Sequence, residues 1–156
     1  MGLSIQPLLA QEDIIKNIVQ DNVEYKFAFY ASTLRMINLK ENKEYDEMVS
    51  GIDKLLVYTL DSTGVADKTY LQIGTSYRER GYDEYMMSSG SLLNMAILGN
   101  PKNDEEFVGY ISQEESCFAF YLRGDIAWEK IPKLINTMRD LDLLNIMDLE
   151  PKKNRP

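Results

Sequence analysis

"YDEYMMSSGSLLNMAILGNPKNDEEFVGYISQEESCFAFYL", residues 82–122, decides the fold. Four strand-like runs follow one another here: Tyr82 to Met87, Leu92 to Leu98, Glu106 to Ile111 and Cys117 to Leu122. The separators are short and carry turn residues: Gly90, Gly99-Asn100-Pro101 and Gln113-Glu114-Glu115. A parallel crossover needs a dozen or more residues, so this spacing predicts antiparallel hairpins.

Upstream, helical and strand-like patterns alternate. Ile14, Ile15, Ile18 and Val19 share one face of a short helix over 12–21. Tyr25 to Ala31 has strand propensity and runs without a breaker into 32–37, so a strand feeding a short helix and one continuous helix both fit. Tyr45, Met48, Val49, Ile52 and Leu55 recur at helical spacing, and Leu56 to Leu60 then reads as a strand that stops at Asp61-Ser62-Thr63-Gly64. Asp67 can cap a further helix whose apolar face carries Tyr70, Ile73 and Tyr77, with Gly81 suited to the left-handed position beyond its end. Downstream, Ile131, Leu134, Ile135 and Met138 mark a last helix. Pro132 fits only in its first turn, which places the start near Trp128 to Ile131.

These elements predict an α+β domain: an antiparallel or mixed sheet with helices packed on one face, a ferredoxin-like arrangement being one form of it. A chain of 156 residues, 44% hydrophobic, suits one core. We divide it into 1–12, the remnant of a signal segment or a flexible N-terminus; 13–148, a single α+β domain; and 149–156, a flexible tail. The segment Leu3 to Gln11 is apolar and closes on a small residue. It fits the end of a secretory segment cut near Ala10 and Gln11, without its basic start, or an ordinary amphipathic start. The first reading predicts a periplasmic or secreted protein. No stretch approaches the ~18 apolar residues of a membrane span.

The charge balance narrows the function classes. With 25 acidic against 17 basic side chains the net charge is −8, which opposes approach to nucleic acid or an anionic membrane. The one basic cluster is Lys152-Lys153-Asn154-Arg155, at the very end. There is no histidine, which removes Ser-His-Asp and Cys-His nucleophilic catalysis and histidine-ligated metals. The single cysteine, Cys117, sits in an apolar run and cannot form an intramolecular disulfide.

The remaining motifs read first as structure. Arg123-Gly124-Asp125, a tripeptide that some receptors read from mobile loops, is bracketed by Leu122 and Ile126 and suits a tight passage between strand and helix. Asp104-Glu105-Glu106 and Glu114-Glu115 lack calcium-loop spacing and read as solvated turns; no metal site or cofactor is expected. Glu79, Asp83 and Glu84 would serve a glycosidase only if two carboxyl groups faced each other across a cleft. No phosphate-cradling glycine motif is present. Among the 10 tyrosines and 8 methionines, most have core roles. Tyr82, Tyr85, Met86 and Met87 lie in "YDEYMMSSG", which lacks strong periodicity, and are the binding-surface candidates.

Taken together, "KLLVYTLDS", "YDEYMM", the hairpin "EFVGYI" with "CFAFYLRGDI", and "IPKLI" resemble the DUF4252 family, uncharacterised exported proteins of Bacteroidetes, over about residues 13–148. That resemblance implies an extracytoplasmic setting and brings no catalytic residue, cofactor or substrate. Cys117 lies too far from the N-terminus to be a lipid-attachment residue. The expected function is a noncatalytic extracytoplasmic domain that binds a protein or small ligand. The alternative is a hydrolase using carboxylates or a metal. Catalytic residues, partner identity and oligomeric state are left unknown.

Overall fold

The computed structural model describes residues 11–36, 43–113 and 116–140. The export-like start over 1–10, the Glu114-Glu115 separator and the 149–156 tail lie outside the described residues. In chain order the elements are α1 (Gln11–Val19), β1 (Val23–Tyr30), α2 (Ala31–Met36), α3 (Lys43–Val49), β2 (Ile52–Leu60), α4 (Ser62–Ala66) and α5 (Leu71–Glu79). Then come β3 (Asp83–Ser88), β4 (Leu93–Asn100), β5 (Asn103–Gln113), β6 (Ser116–Gly124), a 3-10 turn (Trp128–Lys130) and α6 (Ile131–Asp140).

The hairpin rhythm of the second half produces what its spacing requires. β3, β4, β5 and β6 form a meander, and β6 returns beside β2 to give a six-stranded sheet in the order β1-β2-β6-β5-β4-β3, antiparallel at every pairing. A ferredoxin-like arrangement is built from split βαβ units. It is not the arrangement seen here, where four consecutive strands are joined as hairpins.

Nor do the helices share one face. Leu55 and Val57 of β2 belong to a buried cluster with Leu34, Tyr45, Met48, Leu134 and Ile135 from α2, α3 and α6. Their neighbours Leu56, Tyr58 and Leu60 belong to a second cluster with Ile15, Val19, Ile73 and Tyr77 from α1 and α5. Successive side chains of a strand point to opposite faces. The two clusters therefore lie on opposite sides of the sheet, and helices cover both. The physical signature is the unbroken apolar run of β2 and β6, buried at consecutive positions where a half-solvated strand would alternate. Each fully buried aliphatic side chain contributes about 1.5–3 kcal/mol.

Local chemistry sets the boundaries. α3 ends at Val49, earlier than its periodicity suggests, so Ile52 and Leu55 belong to β2. Gly51 intervenes: its carbonyl accepts the Asp125 N–H at 2.7 Å, and a Cβ there would run into the Asp125 carbonyl. Asp67 closes α4 instead of opening α5, while Asp61 caps α4 by accepting the Gly64 N–H at 2.7 Å. At the far end of α5, Gly81 has φ +90, its N–H donates to the Arg78 carbonyl (2.9 Å), and the Tyr82 N–H donates to the Tyr77 carbonyl (3.0 Å). This is a Schellman closure with glycine at the left-handed position. Pro132 falls in the first turn of α6, where its missing N–H costs nothing.

Candidate functional site

The four candidate surface residues separate. Tyr82 is 6% exposed, which removes it from any surface. The helix closure explains why: the residue after the left-handed glycine folds back on the last turn, and the Tyr82 ring lies edge-on to Tyr77 at 4.9 Å. Met86 pairs with Ile97 and packs against the α6-side cluster, half-buried. Met87 is 48% exposed but pairs with Ala96 of the opposite cluster, so it emerges on the other side of the sheet.

Tyr85 is the candidate that remains a site. The β3/β4 register shifts between Glu84 and Met86, and Tyr85 falls in that irregularity. Such a bulge re-aims a side chain. Here it sends Tyr85 to the same face as Met86. Its ring lies over Gly99, where a Cβ would strike it, tilts against Phe107 at 6.1 Å and stacks on Trp128 at 5.9 Å with 17° between the planes. Tyr85 stays 37% exposed and Trp128 half-buried. The 3-10 turn that carries Trp128 leads directly into α6, and Tyr85 stands on β3, so a helix start and a strand bring the two rings together. Exposed carboxylates flank them along the chain, Asp83 and Glu84 on β3 and Glu129 after Trp128. The sequence marks Trp128 only as a helix start; being the sole tryptophan, between a strand end and an amphipathic helix, is its one signal.

A second constellation was not expected. Asp104 and Glu105 are exposed, as solvated turn residues should be, but Glu106 is 6% exposed. Its Oε1 accepts from the Tyr82 hydroxyl at 2.5 Å and from Asn100 Nδ2 at 2.8 Å, and its Oε2 accepts from the Tyr121 hydroxyl at 2.5 Å. Burial first, and donation to Glu106 second, push both tyrosine hydroxyls far above their ordinary range. Three donors engage the carboxylate, which makes this a polar staple across the end of the sheet. Its hydroxyls hold their protons at neutral pH and supply no nucleophile.

The other carboxylates do not converge. Glu84 faces Arg78 at 3.6 Å and Glu12 pairs with Lys54 at 2.7 Å. Among the described residues, no three acidic or cysteine side chains are grouped to hold a metal ion. Cys117 is buried, and burial pushes its thiol up to about 12. Arg123 and Gly124 of the tripeptide are the last residues of β6, and the Asp125 N–H is tied to Gly51, so the motif is held in the fold. No helix among the described residues is long and apolar enough to cross a membrane.

No known protein family, curated protein or solved structure matches this chain.

Proposed function

We propose that this protein is a noncatalytic, extracytoplasmic binding domain of the DUF4252 kind. In this reading, Tyr85 and Trp128 form the platform on which a protein partner lays a basic side chain. The observation that carries the proposal is the stack of two rings, fixed by the β3 bulge and the 3-10 turn and left open to solvent on a chain of net charge −8. A cation over such faces gains about 0.5–2 kcal/mol, and the flanking carboxylates add attraction at longer range. The family resemblance supports the extracytoplasmic setting.

The test is capture from the extracytoplasmic fraction of the source cells on immobilised wild type, Tyr85→Ala, Trp128→Ala and Tyr25→Ala, the last a control on the opposite edge strand. We expect a defined species retained by wild type and Tyr25→Ala, absent from the two platform variants and released by raised salt. The same species on Tyr85→Ala and Trp128→Ala would contradict the proposal. Fractionation of the source cells with an antibody to the protein checks the setting, and recovery with the cytoplasm would contradict it.

A further inference from the structure

On the opposite side of the sheet, the β3–β4 hairpin tip and the link between α4 and α5 border an open pocket of about 180 Å³. Lys68, Tyr70, Ser91, Leu92, Asn94 and Ser112 shape it. The site is independent of the Tyr85 platform, being built on the face that carries Tyr110 and Ala96.

Three features of this cavity converge on one ligand chemistry. Its only charged lining residue is Lys68, in a chain where acidic side chains outnumber basic ones, and Lys68 makes no ion pair among the described residues. Lys68 is also the one non-glycine residue among those described with positive φ, at 55°. Hydrogen bonds fix that geometry: its N–H donates to the Val65 carbonyl (3.2 Å) and its carbonyl accepts from the Leu71 N–H (3.0 Å).

The third feature is a buried donor without an acceptor. Tyr70 is 2% exposed, with its ring against Tyr110 at 4.9 Å. Its hydroxyl accepts from Asn94 Nδ2 at 3.3 Å, while Asn94 Oδ1 is engaged by the Gly90 N–H at 3.2 Å. Tyr70 lines the cavity, and its hydroxyl hydrogen has no acceptor among the described residues. Buried donors are rarely left so. Ser91 brings a further hydroxyl, and Leu92, exposed at the hairpin tip, supplies an apolar rim.

We propose that this pocket binds a small aliphatic carboxylate. The carboxylate accepts from Lys68 Nζ and the Tyr70 hydroxyl, and its short hydrocarbon tail lies towards Leu92. One lysine and a tyrosine hydroxyl with a hydrogen to donate suit an anion better than a cation.

Sodium butanoate, inorganic phosphate and butylammonium are the probes, each titrated into isotope-labelled protein at constant ionic strength and followed by amide and side-chain chemical shifts. The expected result is saturable movement of the Gly90, Ser91 and Lys68 amides and of the Asn94 side-chain amide with butanoate, and none with butylammonium. Lys68→Asn tolerates the left-handed backbone, and Tyr70→Phe keeps the ring in place. Loss of a charge-assisted hydrogen bond should weaken butanoate binding about tenfold in each variant. Folding of both is checked by circular dichroism. Absence of saturation in the wild type, unchanged affinity in a folded Lys68→Asn variant, or saturation by phosphate alone would each overturn the proposal.

Discussion

Glu106 shows how far a single residue departs from its sequence neighbourhood. In "NDEEF" three acidic side chains look alike, yet strand alternation sends Glu106 inward to Tyr82, Tyr121 and Asn100. Nothing in the acidic run announces this, because Asn100 lies across the β4–β5 turn and the two tyrosines lie 24 and 15 residues away. A hydrogen bond to a charged group contributes about 1.5–3 kcal/mol. Tyr121→Phe should therefore lower stability by about 2 kcal/mol, and Glu106→Leu, which leaves buried donors unpaired, by more. Urea unfolding measures both, and a loss under about 0.5 kcal/mol for Tyr121→Phe would deny the staple its role. Cys117 is buried, as its place in an apolar run suggests. Its thiol, pushed up to about 12 by burial, should resist iodoacetamide at pH 8 in the native protein and react fully in denaturant.

Elements were more legible than contacts. The four strands of the meander, the Gly81 closure and the Pro132 first turn follow from residue types whose backbone demands are local. The α3 boundary did not, because helical spacing in 45–55 continues past Gly51 and only the tertiary contact with Asp125 shows where the helix must stop. The β3 bulge was equally hidden, and with it the fact that Tyr85 and Met87 emerge on different sides. That bulge yields a prediction at its own scale. Ala at Gly99 would meet the partly exposed Tyr85 ring, which can swing outward. Gly99→Ala should cost about 1 kcal/mol or less but shift the emission of Trp128, the only tryptophan. At Gly109 the obstacle is the Ala96 backbone carbonyl, which has no such freedom. Gly109→Ala should cost at least about 2 kcal/mol while leaving Trp128 emission unchanged in the folded state.

At the scale of the molecule, the α+β class was readable from element order, but helix coverage of both faces was not drawn from it. The unbroken apolar runs "LLVYTL" and "CFAFYL" carried that information. Two-sided coverage buries tyrosines in both cores, and this has a pH consequence. Burial, with Asp46 nearby, pushes Tyr45 up to about 12; burial, with Glu12 and Asp13 nearby, does the same to Tyr58. Above the ordinary tyrosine value near 10 the unfolded chain releases protons that the folded chain keeps. Stability is therefore fully present below about pH 10 and falls as pH rises towards 12. Tyrosinate absorbance and circular dichroism recorded together should show these tyrosines ionising with unfolding, whereas their ionisation in a folded chain would contradict the burial.

The central claim, that the open Tyr85 and Trp128 rings are where this molecule meets its partner, is tested most directly by site-specific photocrosslinking. A photoreactive phenylalanine analogue placed at 85, at 129 beside Trp128, or at 36 on the exposed end of α2 is exposed to the extracytoplasmic fraction of the source cells and then illuminated. The account predicts one discrete adduct from positions 85 and 129 and none from position 36. The same adduct from all three positions, or an adduct from position 36 alone, would contradict it.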